Sequence, residues 1–352
     1  MELDAKKVFK TLNLNKIWVP VVIGLGVVLY LVVSDPNFTT DRLKLIGQAD
    51  WHYVLLAVLA IVVRDLGYIY RIRILTHNKL SWLASFYIIV LWEFSSAVTP
   101  SVVGGGIVAI FLLIKEGIKP GKAIAYVTLT TIFDNAFFML AASPGLVGVY
   151  EPIFTDLITS ETSLGHGLRV IFWVSYVLVI IYTLATSFAL FINPRSFKWI
   201  LLKFTSMRLL RRWRQAAYRH GNELALASQE LQDEKLAYWL KIGLTTLGVW
   251  VARYVILNLL IAAYVSLDFV EHLDVLGKQI VLWTTMLVSP APGSSGTAEF
   301  IFKHLHGNAL GDYTLIMGIM WRLFTYYPYL FLGAIFLPRW LRRVFAKHKA
   351  IH

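Results

Sequence analysis

Apolar runs of membrane length alternate with short polar connectors along the chain. The runs at 17–33, 51–70, 123–142, 168–193, 236–266 and 311–337 each predict a helix near the roughly 20 residues that a bilayer crossing needs. Two further apolar regions are interrupted. The first breaks from Thr99 and Pro100 through Ser101 to Gly104, Gly105 and Gly106. The second breaks from Ser289, Pro290, Pro292 and Gly293 through Ser294, Ser295, Gly296 and Thr297 to Glu299. Proline removes a backbone donor and glycine lowers the cost of irregular dihedrals, so neither stretch continues a helix. In both, a hydroxyl residue precedes proline and a glycine follows six positions later, at Gly106 and Gly296.

Broken backbone at membrane depth needs protein or a water-filled cavity to satisfy its polar groups. Paired breaks in two halves of a chain are the sequence pointer to a transporter's site. The expected fold is therefore an all-α polytopic membrane protein with about six full spans and two re-entrant, Pro/Gly-broken helical hairpins. The hairpins would be related as an inverted repeat; two complete spans per hairpin, eight in all, is the alternative. The chain reads as one transmembrane domain over 1–352. Its first half, 1–193, carries the break at 99–106, and its second half, 236–352, carries the break at 289–299. A basic helical segment at 194–235 lies between them.

Charge supports this layout. If each hairpin leaves on the side it entered, most of the 33 Lys and Arg fall on one face with both termini, and acidic connectors fall on the other. The positive-inside rule makes the rich face cytoplasmic. The expected location is the cytoplasmic (inner) membrane of a bacterium. The segment 1–16 carries Lys6, Lys7, Lys10 and Lys16 with no small-residue cleavage site after the first run, which predicts an uncleaved first span.

Composition narrows the class. The chain of 352 residues is 57% hydrophobic and 15% charged, against about 25% charged in soluble domains. It has no cysteine, which removes disulfides, thiolate chemistry and Cys-ligated metals. The net charge of +12 lies largely on membrane-flanking segments, so anionic lipid headgroups at 194–235, not nucleic acid, are its expected partner. No metal site is expected: His304 and His306, two apart, point to different helix faces.

The break near residue 100 with the Lys115-Glu116-Gly117 turn after it, the run from Ser289 to Glu299, and Trp321-Arg322 in the last span resemble the transmembrane region of lysylphosphatidylglycerol synthases, also called flippase-like membrane proteins. The likeness covers roughly residues 15–340, and Ser294-Ser295 departs from the Gly-rich form. In the two-domain members, it implies a lipid-flipping half joined to a cytoplasmic aminoacyl-transferase half; this chain would be a stand-alone member.

Two kinds of chemistry converge on the breaks. Helix ends inside the membrane carry unpaired N–H groups and a positive dipole end that suits phosphate. The hydroxyls of Thr99, Ser101, Ser289, Ser294, Ser295 and Thr297 stand beside them, to bind a headgroup or to repair freed backbone bonds. Intramembrane charges cost about 2.5–3.5 kcal/mol each on insertion scales. Arg253 and Arg322 are the candidates for lipid phosphate, with an internal Arg322–Glu299 pair as the alternative. Arg64-Asp65 reads as interfacial, and Arg64, Asp65, Glu93 and Asp134 are candidates for ion coupling or pairing. Arg322→Ala is expected to stop transport while sparing the fold.

The function expected from these features is translocation of a phosphate-bearing, anionic phospholipid without cofactor. A polyprenyl-phosphate or polyprenyl-phosphate-sugar carrier is the near alternative. A scaffold for a separate soluble transferase, docked at 194–235 or assembled as a homo-oligomer, is the more distant one. No nucleophile–base couple or metal spacing falls at the breaks, so a transporter is expected and not an enzyme.

Overall fold

The computed structural model describes residues 45–99, 104–143, 162–193, 214–287 and 293–349, together with residues 26, 199, 202, 203, 206, 289 and 291. The expected first span at 17–33, the acidic connector at 144–161 and most of the basic stretch at 194–213 lie outside them, as do Pro100, Ser101, Pro290 and Pro292. Every regular element described is helical. Five stretches are long and apolar enough to cross a bilayer: Trp51–Leu75, Pro120–Ala141, Gly165–Ile192, Leu236–Ala262 and Thr297–Val344. The chain is a polytopic membrane protein.

Two long helices form the axis. Helix α1 (Trp51–Leu75) starts where Asp50 accepts from the His52 amide. Its outer face carries Leu55, Leu59, Val62, Val63 and Leu66, all exposed, while Arg64, Tyr68 and Arg71 are buried. That inversion of the soluble pattern places lipid outside and polar groups within. Helix α7 (Leu236–Ala262) lies antiparallel along it. The Asp50 amide donates to the Ala263 carbonyl (2.8 Å) at one end, and the Tyr238 hydroxyl reaches the Leu75 carbonyl (3.5 Å) at the other. Between them Gly67 admits Val249: a Cβ at 67 would lie 2.6 Å from a valine methyl.

The broken regions are two helical hairpins that enter from opposite ends of this axis. Helix α2 (Trp82–Val98) follows α1 after a turn, capped by the Ser81 hydroxyl, and helix α3 (Gly104–Lys115) brings the chain back. Arg343 touches the Tyr87 ring in the first half of α2 and the Glu116 carboxylate just after α3. Helix α4 (Pro120–Ala141) follows, with proline in its first turn. Helix α5 (Thr162–Ser187) ends in a π-helical turn, Phe188–Ile192.

Helix α8 (Phe269–Met286) starts near the other end of α7, through a reciprocal Asp268–Glu271 capping box. Helix α9 (Thr297–Leu310) returns. Tyr264, shortly before α8, packs its ring 5.4 Å from that of Tyr313, shortly after α9. The returning helices α3 and α9, with 12 and 14 residues, rise about 18–21 Å.

The structure corrects the sequence in three places. The run at 311–337 is not one helix: α10 (Thr314–Thr325) stops at Tyr326 and α11 (Tyr327–Lys349) continues. Arg64-Asp65 is not interfacial, because α1 runs past residue 70 to Leu75 and leaves Arg64 mid-helix and 1% exposed. Part of the basic segment is docked on protein: helix α6 (Arg214–Gln232) pairs Glu230 with Lys122 of α4. Its Ser228 and Gln232 side chains donate to the Leu190 and Phe191 carbonyls of the π-turn.

Candidate functional site

The tips of the two hairpins touch. Gly293 sits at φ +56°, open to glycine, and a Cβ there would come within 2.8 Å of the Ala97 carbonyl and 2.3 Å of the Tyr326 ring. The Tyr326 hydroxyl donates to Ala97 O (3.2 Å), and the Ser295 hydroxyl donates to Tyr326 (3.3 Å). Tyr326, at the α10–α11 joint, therefore holds both breaks together.

Beside this junction is a cavity of about 210 Å³. Its charged lining is Arg64, Glu93, Arg253 and Arg322; Gly293, Ser294 and the rings of Trp283, Trp321, Tyr326 and Tyr329 complete much of the wall. The cavity thus brings together six sequence candidates, from α1, α2, α7, the second break and α10. Asp65 stands behind Arg64, accepting from its Nε (3.0 Å) and Nη2 (2.9 Å) and from the Tyr329 hydroxyl (2.7 Å). Glu299 stands behind Arg322. It accepts from Nε of that arginine (2.8 Å) while its other oxygen takes the Gly296 amide (2.7 Å). The Arg322 Nη2 reaches the Gly293 and Ser294 carbonyls, each at 3.4 Å.

Arg322 thus takes the internal pair that the sequence left open. The α9 N-terminus is filled by Glu299, which satisfies its amide and its dipole from within the chain. The hydroxyls at the breaks likewise bond inside the protein. Thr99 Oγ1 donates to Ser95 O (2.5 Å), Ser294 Oγ to Met286 O (3.1 Å), and Ser289 Oγ meets Thr297 Oγ1 (3.0 Å). Gly104 opens α3, Gly105 packs on Ser96, and Gly106 faces Val127.

Glu93 and Asp134 are separated. Glu93 lies on the cavity and accepts from Arg253 Nη2 at 2.9 Å. Asp134 lines a second space of about 190 Å³ with Arg71, Tyr68, Trp92, Thr130 and Trp250. It accepts from both terminal nitrogens of Arg71 (2.5 and 3.2 Å) and from the Trp250 indole (2.9 Å). Arg71 also donates to Thr246 (3.0 Å). Sequence reading placed Arg71 at the cytoplasmic margin; the missed signal is its spacing, seven after Arg64 with Tyr68 between, which puts all three on one helix face. Tyr326 and Tyr329 were not among the residues singled out in the sequence.

A family model for the lysylphosphatidylglycerol synthase TM region matches residues 17–333. The chain belongs to this family. It is also similar to a UPF0104 membrane protein of Archaeoglobus fulgidus, 26% identical over 328 residues, covering 89% of this chain and 94% of that one. No solved structure matches. Membership in the lysylphosphatidylglycerol synthase TM region family agrees with the resemblance read from the two breaks. The matched span includes both hairpins and every charged residue of the two cavities.

Proposed function

We propose that this protein carries a phosphate-bearing, anionic lipid across the membrane. Its headgroup would pass through the cavity between the hairpin tips while its acyl chains stay in the bilayer. The observation that carries the proposal is the lining of that cavity: three guanidiniums and one carboxylate face the space, with Asp65 and Glu299 held behind their arginines. A guanidinium fork matches phosphate geometry and is weakly hydrated, so it takes phosphate well in a partly dry site. The family's name points to the same lipid class.

The hairpins are re-entrant on this reading and the halves form an inverted repeat. α1 corresponds to α7, α2–α3 to α8–α9, and α4 to the α10–α11 pair, with the two hairpins entering from opposite ends of the axis. Rocking of such repeats about a central site is the general device of alternating access. The Leu75 end, which carries Arg73, Lys79, Lys115, Lys119, Lys122 and Lys235, faces the cytoplasm. The protein changes where the lipid is, not what it is.

The test is headgroup scrambling in proteoliposomes with fluorescent phosphatidylglycerol, phosphatidylethanolamine and a polyprenyl phosphate. Faster loss of asymmetry for at least one phosphate lipid, absent with Arg253→Gln, is expected. Equal rates with and without protein for all three would overturn the proposal, as would recovery of a chemically altered lipid.

A further inference from the structure

The second space, around Arg71 and Asp134, belongs to neither break, yet it shares three residues with the cavity at the hairpin tips: Glu93, Ser96 and Arg253. The two are offset along the axis. Arg64 of α1 borders the first; Tyr68, Arg71, Ile72 and Leu75 border the second, which places it about 10 Å nearer the Leu75 end. On α8 the first cavity reaches back to Gln279, about 15 Å from the helix start near the Trp51 end. What stands between the spaces is the Glu93–Arg253 ion pair.

Of the four arginines at the site, three make two or three hydrogen bonds each among the described residues. Arg64 gives two nitrogens to Asp65, Arg71 bonds Asp134 twice and Thr246 once, and Arg322 bonds Glu299 and two backbone carbonyls. Among the described residues Arg253 makes one hydrogen bond, to Glu93, and its buried Nε has no hydrogen-bond partner. Its side chain and that of Glu93 remain 26% and 24% exposed, although both lie between cavities. The guanidinium is otherwise flanked by the rings of Trp250 (5.2 Å) and Tyr68 (5.7 Å). Aromatic faces attract a cation without fixing it to one direction. A buried donor without an acceptor is costly, so the site favours an anion that supplies one.

We propose that the Glu93–Arg253 pair is a movable partition between two anion stations, the cavity at the hairpin tips and the Arg71–Asp134 space. Arg253 exchanges its carboxylate for a phosphate monoester or diester and passes it from one station to the other. The exchange replaces one ion pair by another and breaks no covalent bond. The second station offers Arg253 from the opposite side, with Tyr68, Trp92 and Thr130 in its wall. Beyond the shared Arg253, its wall adds one acid-paired arginine, Arg71, where the first adds two, Arg64 and Arg322, so it holds an anion more weakly, as release requires. This builds on the function proposed above, but the partition can be tested without any lipid moving.

The chain has no native cysteine, so single cysteines report cleanly. Thr130→Cys marks the second station and Thr325→Cys the first. Each is exposed in sealed vesicles to a membrane-impermeant anionic methanethiosulfonate from one face or the other. In the otherwise unaltered protein the two cysteines react from opposite faces. Adding Glu93→Gln, which keeps the shape and removes the charge, lets each react from both. The rate at the formerly silent face rises about tenfold or more, the change that a loss of about 1.4 kcal/mol in closure produces. The reversed pair, Glu93→Arg with Arg253→Glu, restores one-sided labelling.

Unchanged sidedness with Glu93→Gln overturns the partition, as does two-sided labelling before any charge is altered. A reversed pair as leaky as the single change also overturns it. If sidedness behaves as described while no lipid is scrambled, the partition stands and the lipid assignment falls.

Discussion

Two Arg–Glu pairs border the same cavity at nearly the same separation: Arg322–Glu299 at 2.8 Å and Arg253–Glu93 at 2.9 Å. Distance does not distinguish them; burial and bond number do. The first is 3% and 5% exposed and locked by a backbone amide and two carbonyls. The second is about a quarter exposed on each side and holds by a single bond. A saturated buried pair is a strut whose loss leaves an uncompensated charge in a dry place. A half-satisfied pair at the meeting of two cavities is free to trade partners. The comparison teaches that separation alone does not tell a strut from an exchangeable pair; burial and bond number do.

The sharpest way to break the comparison is to remove each arginine. Arg322→Ala strands Glu299 and costs about 3–5 kcal/mol of stability, read as a drop in thermal unfolding temperature in detergent. On sequence alone this change reads as sparing the fold; the structure makes it a folding change. A variant as stable as the parent would show that the pair is no strut. Gly293→Ala comes next. It imposes a side chain at φ +56° against Tyr326 and Ala97, a strain of about 1–3 kcal/mol, with slower scrambling because the hairpin tips must part. Arg253→Gln inverts the pattern: about 1 kcal/mol or less in stability, yet loss of lipid scrambling. Equal damage to stability from Arg253→Gln and Arg322→Ala would erase the distinction. Smallest is Lys122→Gln, which releases the exposed Glu230 on α6; it moves the unfolding free energy by less than about 1 kcal/mol and leaves scrambling intact.

Much of this architecture was legible in the chain because membrane spans are written in long apolar runs and breaks in proline and glycine. Helices α1, α4, α5 and α7 fall where those runs predict, and both breaks lie where Pro100, Gly104 and Gly293 interrupt them. What the runs could not give is pairing. Arg71 looks like a flanking cation until Asp134, 63 positions away, is folded against it. The stop at Tyr326 has a local signal that the apolar run hides, Pro328 two residues on, which removes a backbone donor and ends the preceding helix; the phenol's bonds to Ala97 and Ser295 fix the joint only in three dimensions. The serines and threonines of the breaks were open to two readings, ligand or repair; in the structure Thr99 and Ser294 donate to carbonyls, Ser295 donates to the Tyr326 hydroxyl, and Ser289 pairs with Thr297. Arg253 was visible as a lone intramembrane cation, but its under-bonded state depends on what α1 and α2 leave around it.

The close seat of Val249 against Gly67 has a mechanical corollary. At Gly67 the two helices approach so closely that an added Cβ would lie 2.6 Å from a Val249 methyl. On the proposed function the antiparallel α1–α7 pair, one helix from each half, would be the bearing about which the two halves rock. The hairpin tips, clasped by one tyrosine, would be where that rocking is felt first.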